Sequence, residues 1–170
     1  RTSSGRFGEA LSFNGAGNLV TVPDSSSLRL SGAMTLEAWV YPTTSPSGWR
    51  CILMKEASKS ASYFLAANTN KGTPAGIVNI NGEKTVSGTS KLPASKWTHV
   101  ALTYCGSTQR LYVNGVQVAI RNQTGSLLSS NGALRIGGNS IWGEYFNGRI
   151  DEVRIYSRAL SAAEVAADMN

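Results

Sequence analysis

RLYVNGVQVA, residues 110–119, carries the clearest local signal in the chain. Asn114-Gly115 is flanked on both sides by β-branched and aromatic residues. Asn-Gly supplies the two positive φ values that a tight type I′ hairpin turn demands. Val113 and Val116 then pair beside the turn. VNINGEKTV (78–86) repeats the pattern around Asn81-Gly82 and predicts a second hairpin. Further out, TLEAWVYP (35–42) alternates, with Leu36, Ala38 and Val40 on one face and Glu37, Trp39 and Tyr41 on the other. Alternation of this kind reads as a sheet with two unlike faces. Turn-punctuated β-type runs recur at 10–13, 19–22, 34–41, 50–55, 63–67, 76–80, 98–104, 109–113, 116–120, 134–136 and 152–156. Proline falls at run ends (Pro23, Pro42, Pro93) or in loops (Pro46, Pro74), where a missing N–H does not damage a ladder. Only one helix is predicted, behind the capping box Ser161 to Glu164. No linker or repeat divides the chain, so one all-β domain is expected over residues 1–170. Many short strands at close spacing favour a sandwich or barrel over a parallel α/β fold.

The composition agrees. The 170 residues are 41% hydrophobic and only 15% charged, with 18 glycines. A chain of this length buries roughly 70% of its unfolded surface and needs no covalent staples. The net charge is +6, and all six lysines fall between Lys55 and Lys96. With Arg50, and against only Glu56 and Glu83, that segment carries +5. It reads either as a patch for an anionic partner or as solvated loops and edge strands guarded by lysine. No apolar run is long enough to span a membrane. No signal peptide is visible, and the opening RTSSGRFGEALSF reads as a domain from a longer chain. Cys51 and Cys105 permit one disulfide, which the spacing alone neither requires nor forbids.

Four separated segments resemble laminin G-like domains of the concanavalin A-like jelly-roll type. ALSFNGAGNLVTVPDSSSLRLSGAMTLEAWVYP (10–42) resembles their opening, and KWTHVALTYCGSTQRLYVNG (96–115) their central strand pair and hairpin. ALRIGGN (133–139) and FNGRIDEVRIYSRALSAAEVAAD (146–168) resemble their closing strands and terminal helix. The resemblance implies a two-sheet antiparallel jelly-roll sandwich with one short C-terminal helix. It also implies a secreted or cell-surface setting, within a larger multidomain chain. Relatives bind carbohydrate, bind protein or act as spacers, so the fold leaves the function open.

The resemblance also implies a structural Ca²⁺, held by Asn14 and Gly15 of FNG and Asp151 of IDEV. Backbone carbonyls, one carboxylate and waters can supply its oxygens. Where the family often has Asp, this chain has Asn14, which removes one charge. The competing reading makes Asp151 a residue that binds local amides. A carbohydrate site needs flat aromatic faces for C–H surfaces and planar polar groups for hydroxyls. The candidates are Trp49, Arg50, Tyr63, Asn68, Asn70, Asn79, Trp142, Glu144 and Tyr145. Trp49 and Trp142 lie in loops, TTSPSGW and NSIWGEYF, where aromatics also cap the core. Trp39, Trp97 and the lone His99 read as packing residues. Among the ten acidic residues nothing matches the Glu-x-Asp-x-x-Glu strand of catalytic relatives, and no Ser/His/Asp set is suggested. Aromatics rarely interleave with the basic residues, which argues against nucleic acid. The expectation is a non-catalytic extracellular module that binds carbohydrate, with a structural or protein-adhesion role as the alternative.

Overall fold

The structure is a computed structural model and describes residues 1–170. Its strands are Leu11–Asn14 (β1), Val20–Val22 (β2), Met34–Pro42 (β3), Arg50–Ala57 (β4), Ser60–Asn68 (β5) and Ala75–Asn79 (β6). Glu83–Ser87 (β7), Thr98–Tyr104 (β8), Thr108–Val113 (β9), Val116–Asn122 (β10), Leu134–Ile136 (β11) and Asn147–Tyr156 (β12) follow, then helix α1 at Ala162–Ala167. They form two antiparallel six-stranded sheets, β1-β12-β3-β8-β9-β10 and β2-β11-β4-β5-β6-β7. This is the jelly-roll sandwich that the sequence implied. Asn114 and Gly115 both take positive φ, and Val113 pairs with Val116 as expected. The Asn81-Gly82 hairpin closes one residue wider, with Asn79 opposite Glu83. Its return arm is β7, too polar to stand out as a run of its own. β12 starts at Asn147, five residues before the expected run. It carries a bulge between Asp151 and Arg154, where Glu152 adopts φ 49°.

Twenty-four buried hydrophobic residues form the core between the sheets, among them Leu36, Ala38 and Val40 of β3. The outer face of β3 is buried too. Phe7 meets Trp39 edge to face and Arg6 lies 4.5 Å above its ring. Asp151 holds this N-terminal segment by accepting the amides of Arg6 (2.8 Å) and Phe7 (3.0 Å). Beyond it, α1 seals Ala101 and Tyr112 with Leu160 and Val165. Its Ser161–Glu164 capping box forms as predicted. No helix is long and apolar enough to cross a membrane.

Two groups of charged side chains have a member fully removed from water. At one end, Lys55 is fully buried and bonds Asp24, which also binds Arg29. Those two donors hold the Asp24 carboxyl down at about 2. Lys55 is therefore spent on the partly exposed Asp24 carboxylate and does not contribute to an open basic patch. Lys59, Lys71, Lys91 and Lys96 are exposed. On the covered face of β3, Glu37 lies 3.8 Å from His99 Nε2 and 3.6 Å from Arg154. Neither oxygen of Glu37 has a hydrogen-bond partner. Burial and the nearby Asp168 carboxylate push the Glu37 carboxyl up to about 7, against the pull of Arg154. Burial and the Arg154 charge push His99 down to about 4. At neutral pH His99 is uncharged, so its contact with Glu37 is not an ion pair.

These shifts oppose each other in acid. Native Glu37 keeps its proton up to about pH 7, while the unfolded carboxyl releases it near 4.5. The native state thus binds more protons in that window, and stability falls as pH rises through it. His99 does the reverse: the unfolded imidazole gains its proton near 6.5 and the native one near 4, so stability falls as pH drops through that window. Urea midpoints of the parent protein are therefore expected to change little between pH 6.5 and 4.5. Glu37→Gln should lose stability on acidification by about 2 kcal/mol, and His99→Gln should gain it. Superimposable pH profiles for all three proteins would refute the assignment. Separately, Asp24→Ala leaves a buried cation unpaired, so it should lower the denaturation midpoint more than Asp24→Ala combined with Lys55→Met. The reverse order would show that Lys55 finds water without Asp24.

Candidate functional site

Strands β4, β5 and β6 have no face turned fully to solvent. On β5, Tyr63, Leu65 and Ala67 enter the inter-sheet core, while Phe64 and Ala66 point the other way. A register shift between Cys51 and Leu53 lets both Ile52 and Leu53 reach the core and leaves Cys51 and Met54 on the outer side. Ala75 and Ile77 of β6 join them, completing a buried apolar layer on the outside of the second sheet.

Two loops cover this layer. Trp49, just before β4, stacks on Phe64 with ring centres 5.9 Å apart and planes tilted by 30°. From the other side, residues 137–146 carry Ile141 and Trp142 across the sheet. That loop is latched by short bonds. Glu56 accepts the Ser140 amide (2.6 Å), the Ser140 hydroxyl (2.7 Å) and Arg135 Nε (3.0 Å). Burial opposes the Glu56 charge, but these donors outweigh it and hold the carboxyl below its ordinary range. Asn139 accepts the Trp142 amide (2.7 Å) and donates to Glu144 (2.8 Å), and the Glu144 carbonyl receives the Cys51 amide. Gly138 is required here, because any Cβ would run into the Tyr145 ring.

The cover is incomplete. Between Trp49 and Trp142 lies a cleft of about 500 Å³, with Phe64 and Ile77 as its floor and Arg50, Glu83 and Glu144 as its polar rim. Trp142 is 47% exposed. Glu83 accepts the Ala61 amide, so its orientation is set by β5. Burial and the Glu83 charge raise the Glu144 carboxyl, opposed by the Asn139 hydrogen bond and by Arg50. The arrangement offers apolar faces flanked by fixed donors and acceptors, carried on loops that the second sheet positions.

Of the nine residues expected at a sugar site, Trp49, Arg50, Trp142 and Glu144 come together in this cleft. Tyr145 is half-buried beneath the loop, and Asn70 is exposed in the β5–β6 turn outside the cleft lining. The other three face elsewhere. Tyr63 is fully buried in the core, its hydroxyl donating to the Leu28 carbonyl. Asn79 is buried and braces the hairpin, through the Ala61 carbonyl and the Gly82 amide. Asn68 is buried and donates to the Gly48 and Thr69 carbonyls, so it positions the loop bearing Trp49. Phe64, Ile77 and Glu83 were not foreseen. The run from Ser62 to Asn68 is nearly all apolar, so its alternation did not reveal which residues face outward. The Asn81-Gly82 hairpin was the one available sign that Glu83 returns along β6.

The expected calcium ligands do not converge. Asn14 pairs with Asn147, whereas Asp151 lies one step beyond the Leu11–Ile150 pair. Four steps along a strand separate the two positions by about 13 Å. Asp151 already accepts three amides, from Arg6, Phe7 and Glu152. The Asn14 side chain accepts the Ala16 amide, and the Gly15 amide donates to the Phe146 carbonyl. The donor set thus does not fit a cation, and Asp151 instead clamps the N-terminal segment. Cys51 is buried and Cys105 exposed, and the two remain free thiols.

The family described as the concanavalin A-like lectin/glucanases superfamily, laminin G type, matches residues 14–166. The chain belongs to this superfamily. Mouse pappalysin-1 is 28% identical over 119 residues, which are 67% of this chain and 7% of pappalysin-1. The chain therefore spans only about 7% of the length of that relative. Among solved superfamily-like folds, domain 4 of the GH43 extracellular arabinanase AbnA from Geobacillus stearothermophilus, in complex with arabinotriose, superposes with TM-score 0.79. It is 23% identical, over 98% of this chain and 79% of that one. The CBM40 of the Ruminococcus gnavus IT-sialidase, bound to α2,3-sialyllactose, gives TM-score 0.69 at 16% identity, over 89% and 96%. At such identities the likeness is one of fold.

If Glu56 is the latch of the 137–146 loop, Glu56→Ala should cost about 2 kcal/mol and expose residues 139–145 to protease. Unchanged denaturation and proteolysis would show that the loop is held by packing alone.

Proposed function

We propose that this domain is a non-catalytic carbohydrate-binding module whose binding face is the Trp49–Trp142 cleft. One observation carries the reading: two loop tryptophans, one of them nearly half exposed, stand over an apolar floor within reach of Arg50, Glu83 and Glu144. Sugar rings present C–H faces to aromatic side chains and hydroxyls to planar polar groups, and the cleft offers both. Two sugar-bound structures of the same fold, one with arabinotriose and one with sialyllactose, support the class of ligand. The rim holds one cation and two carboxylates, which favours an uncharged glycan over the anionic one that the lysine distribution suggested. Glu83 and Glu144 are each engaged by a neighbouring amide group, which supports binding in place of acid–base catalysis. A secreted or surface-attached parent chain, in which the module holds its neighbours near a polysaccharide, accords with this reading.

Binding to arrayed neutral and acidic polysaccharides, followed by calorimetry, tests it. Trp142→Ala should weaken binding of the selected glycan about tenfold or more. It should leave the melting temperature within a degree or two, because that ring is half in solvent. Trp49→Ala should weaken binding and also destabilise, because Trp49 packs on Phe64. Failure of every polysaccharide to bind, or full affinity in Trp142→Ala, would remove the cleft from consideration.

A further inference from the structure

The sugar cleft does not end at its own rim. Arg50 lines it, and the same arginine lines a second, polar hollow of about 140 Å³ around the corner, at the end of the sandwich. That hollow is formed by Asn14 and Asn147, by residues 44–47 of the loop leading to Trp49, and by Phe146. The two compartments share two stretches of chain. Asn147 is the first residue of β12, directly after the 137–146 loop that carries Trp142 and Glu144. Residues 44–47 lead straight into Trp49 and Arg50. Arg50 is fixed between them, its guanidinium donating to the Trp49 carbonyl at 2.7 Å.

The compartments differ in chemistry. The larger has indole faces and an apolar floor. The smaller is rich in amide and hydroxyl groups, and its one aromatic side chain, Phe146, is buried. From this asymmetry we infer that the site takes a linear, uncharged oligosaccharide chain in at least two subsites. A stacking subsite lies between Trp49 and Trp142, and a hydrogen-bonding subsite lies against Asn14 and Asn147, with Arg50 spanning the linkage. The inference rests on the carbohydrate reading above. A single sugar ring fills only part of such a site, and a chain that continues past Arg50 gains hydrogen bonds without new stacking. The Asn14 and Gly15 turn, which cannot share a cation with Asp151, acquires a role as a wall of this second subsite.

Calorimetry with linear arabino-, xylo- and cello-oligosaccharides, from disaccharide to hexasaccharide, tests the inference on the whole chain. Affinity is expected to rise about tenfold between the shortest member that binds and the tetrasaccharide, then level off. Asn147→Ala, at an exposed position, should leave the shortest binder unchanged and cancel most of the gain with length. Arg50→Ala should weaken short and long members alike. Binding that is independent of length, or an Asn147→Ala protein that keeps the full gain, would overturn the second subsite while leaving the Trp49–Trp142 cleft standing. Failure of all three series, together with every arrayed polysaccharide, would remove the carbohydrate reading and this extension with it.

Discussion

Strands β4, β5 and β6 bury both of their faces, and the rest of the molecule is arranged around that fact. An antiparallel sheet ordinarily turns one face to the core and one to water. Here the outward side of the second sheet carries Cys51, Met54, Phe64, Ala66, Ala75 and Ile77, all buried. Apolar area left in water costs about 25 cal/mol per Å², so this layer demands a lid. The lid is made of irregular chain, whose amides and carbonyls must be satisfied in turn. That is why Glu56 holds the loop from β4 beneath it, why Asn139 and Glu144 bond to each other within it, and why Asn68 ties down the loop before Trp49. The Trp49–Trp142 cleft, proposed above to take carbohydrate, arises where the two loops meet imperfectly.

The first sheet solves the same problem with different materials. Its outer face holds Trp39, Glu37, His99, Ala101 and Tyr112, and the cover is the N-terminal segment on one part and α1 on another. Arg6 and Phe7 sit on Trp39, anchored by Asp151, while Leu160 and Val165 sit on Tyr112. This covering leaves a carboxyl and an imidazole without full partners, and their displaced titration is the consequence of burial rather than of any chemistry. The one cluster of displaced carboxyl and imidazole titrations on the first sheet is thus architectural, and the Trp49–Trp142 cleft lies on the second sheet.

Much of the architecture was legible in the chain. The Asn114-Gly115 and Asn81-Gly82 turns, the alternation of residues 35–42, and the capping box at Ser161 are local signals. Each depends only on backbone geometry within a few residues, and each is found where expected. Local signals failed where the outward face was also apolar. Tyr63 and Phe64 are neighbours of similar type, and a continuous apolar run carries no parity from which to tell core from cleft. The residues expected to hold calcium lie apart for a related reason. Asn14 and Asp151 lie on adjacent strands, but the register of β1 against β12 sets them four steps apart.

By itself, then, the sequence determined the class of the fold, the positions of its hairpins and helix, and the loops that carry the exposed aromatic residues. These follow from turn chemistry and side-chain period, which act within a few residues. Tertiary structure alone decided which of those aromatics share a cleft, which polar side chains are spent on bracing loops, and that Lys55 is buried against Asp24. Those outcomes depend on strand register, a β-bulge and the packing of segments distant in the chain. No local pattern encodes the distance between two residues that the fold alone brings together.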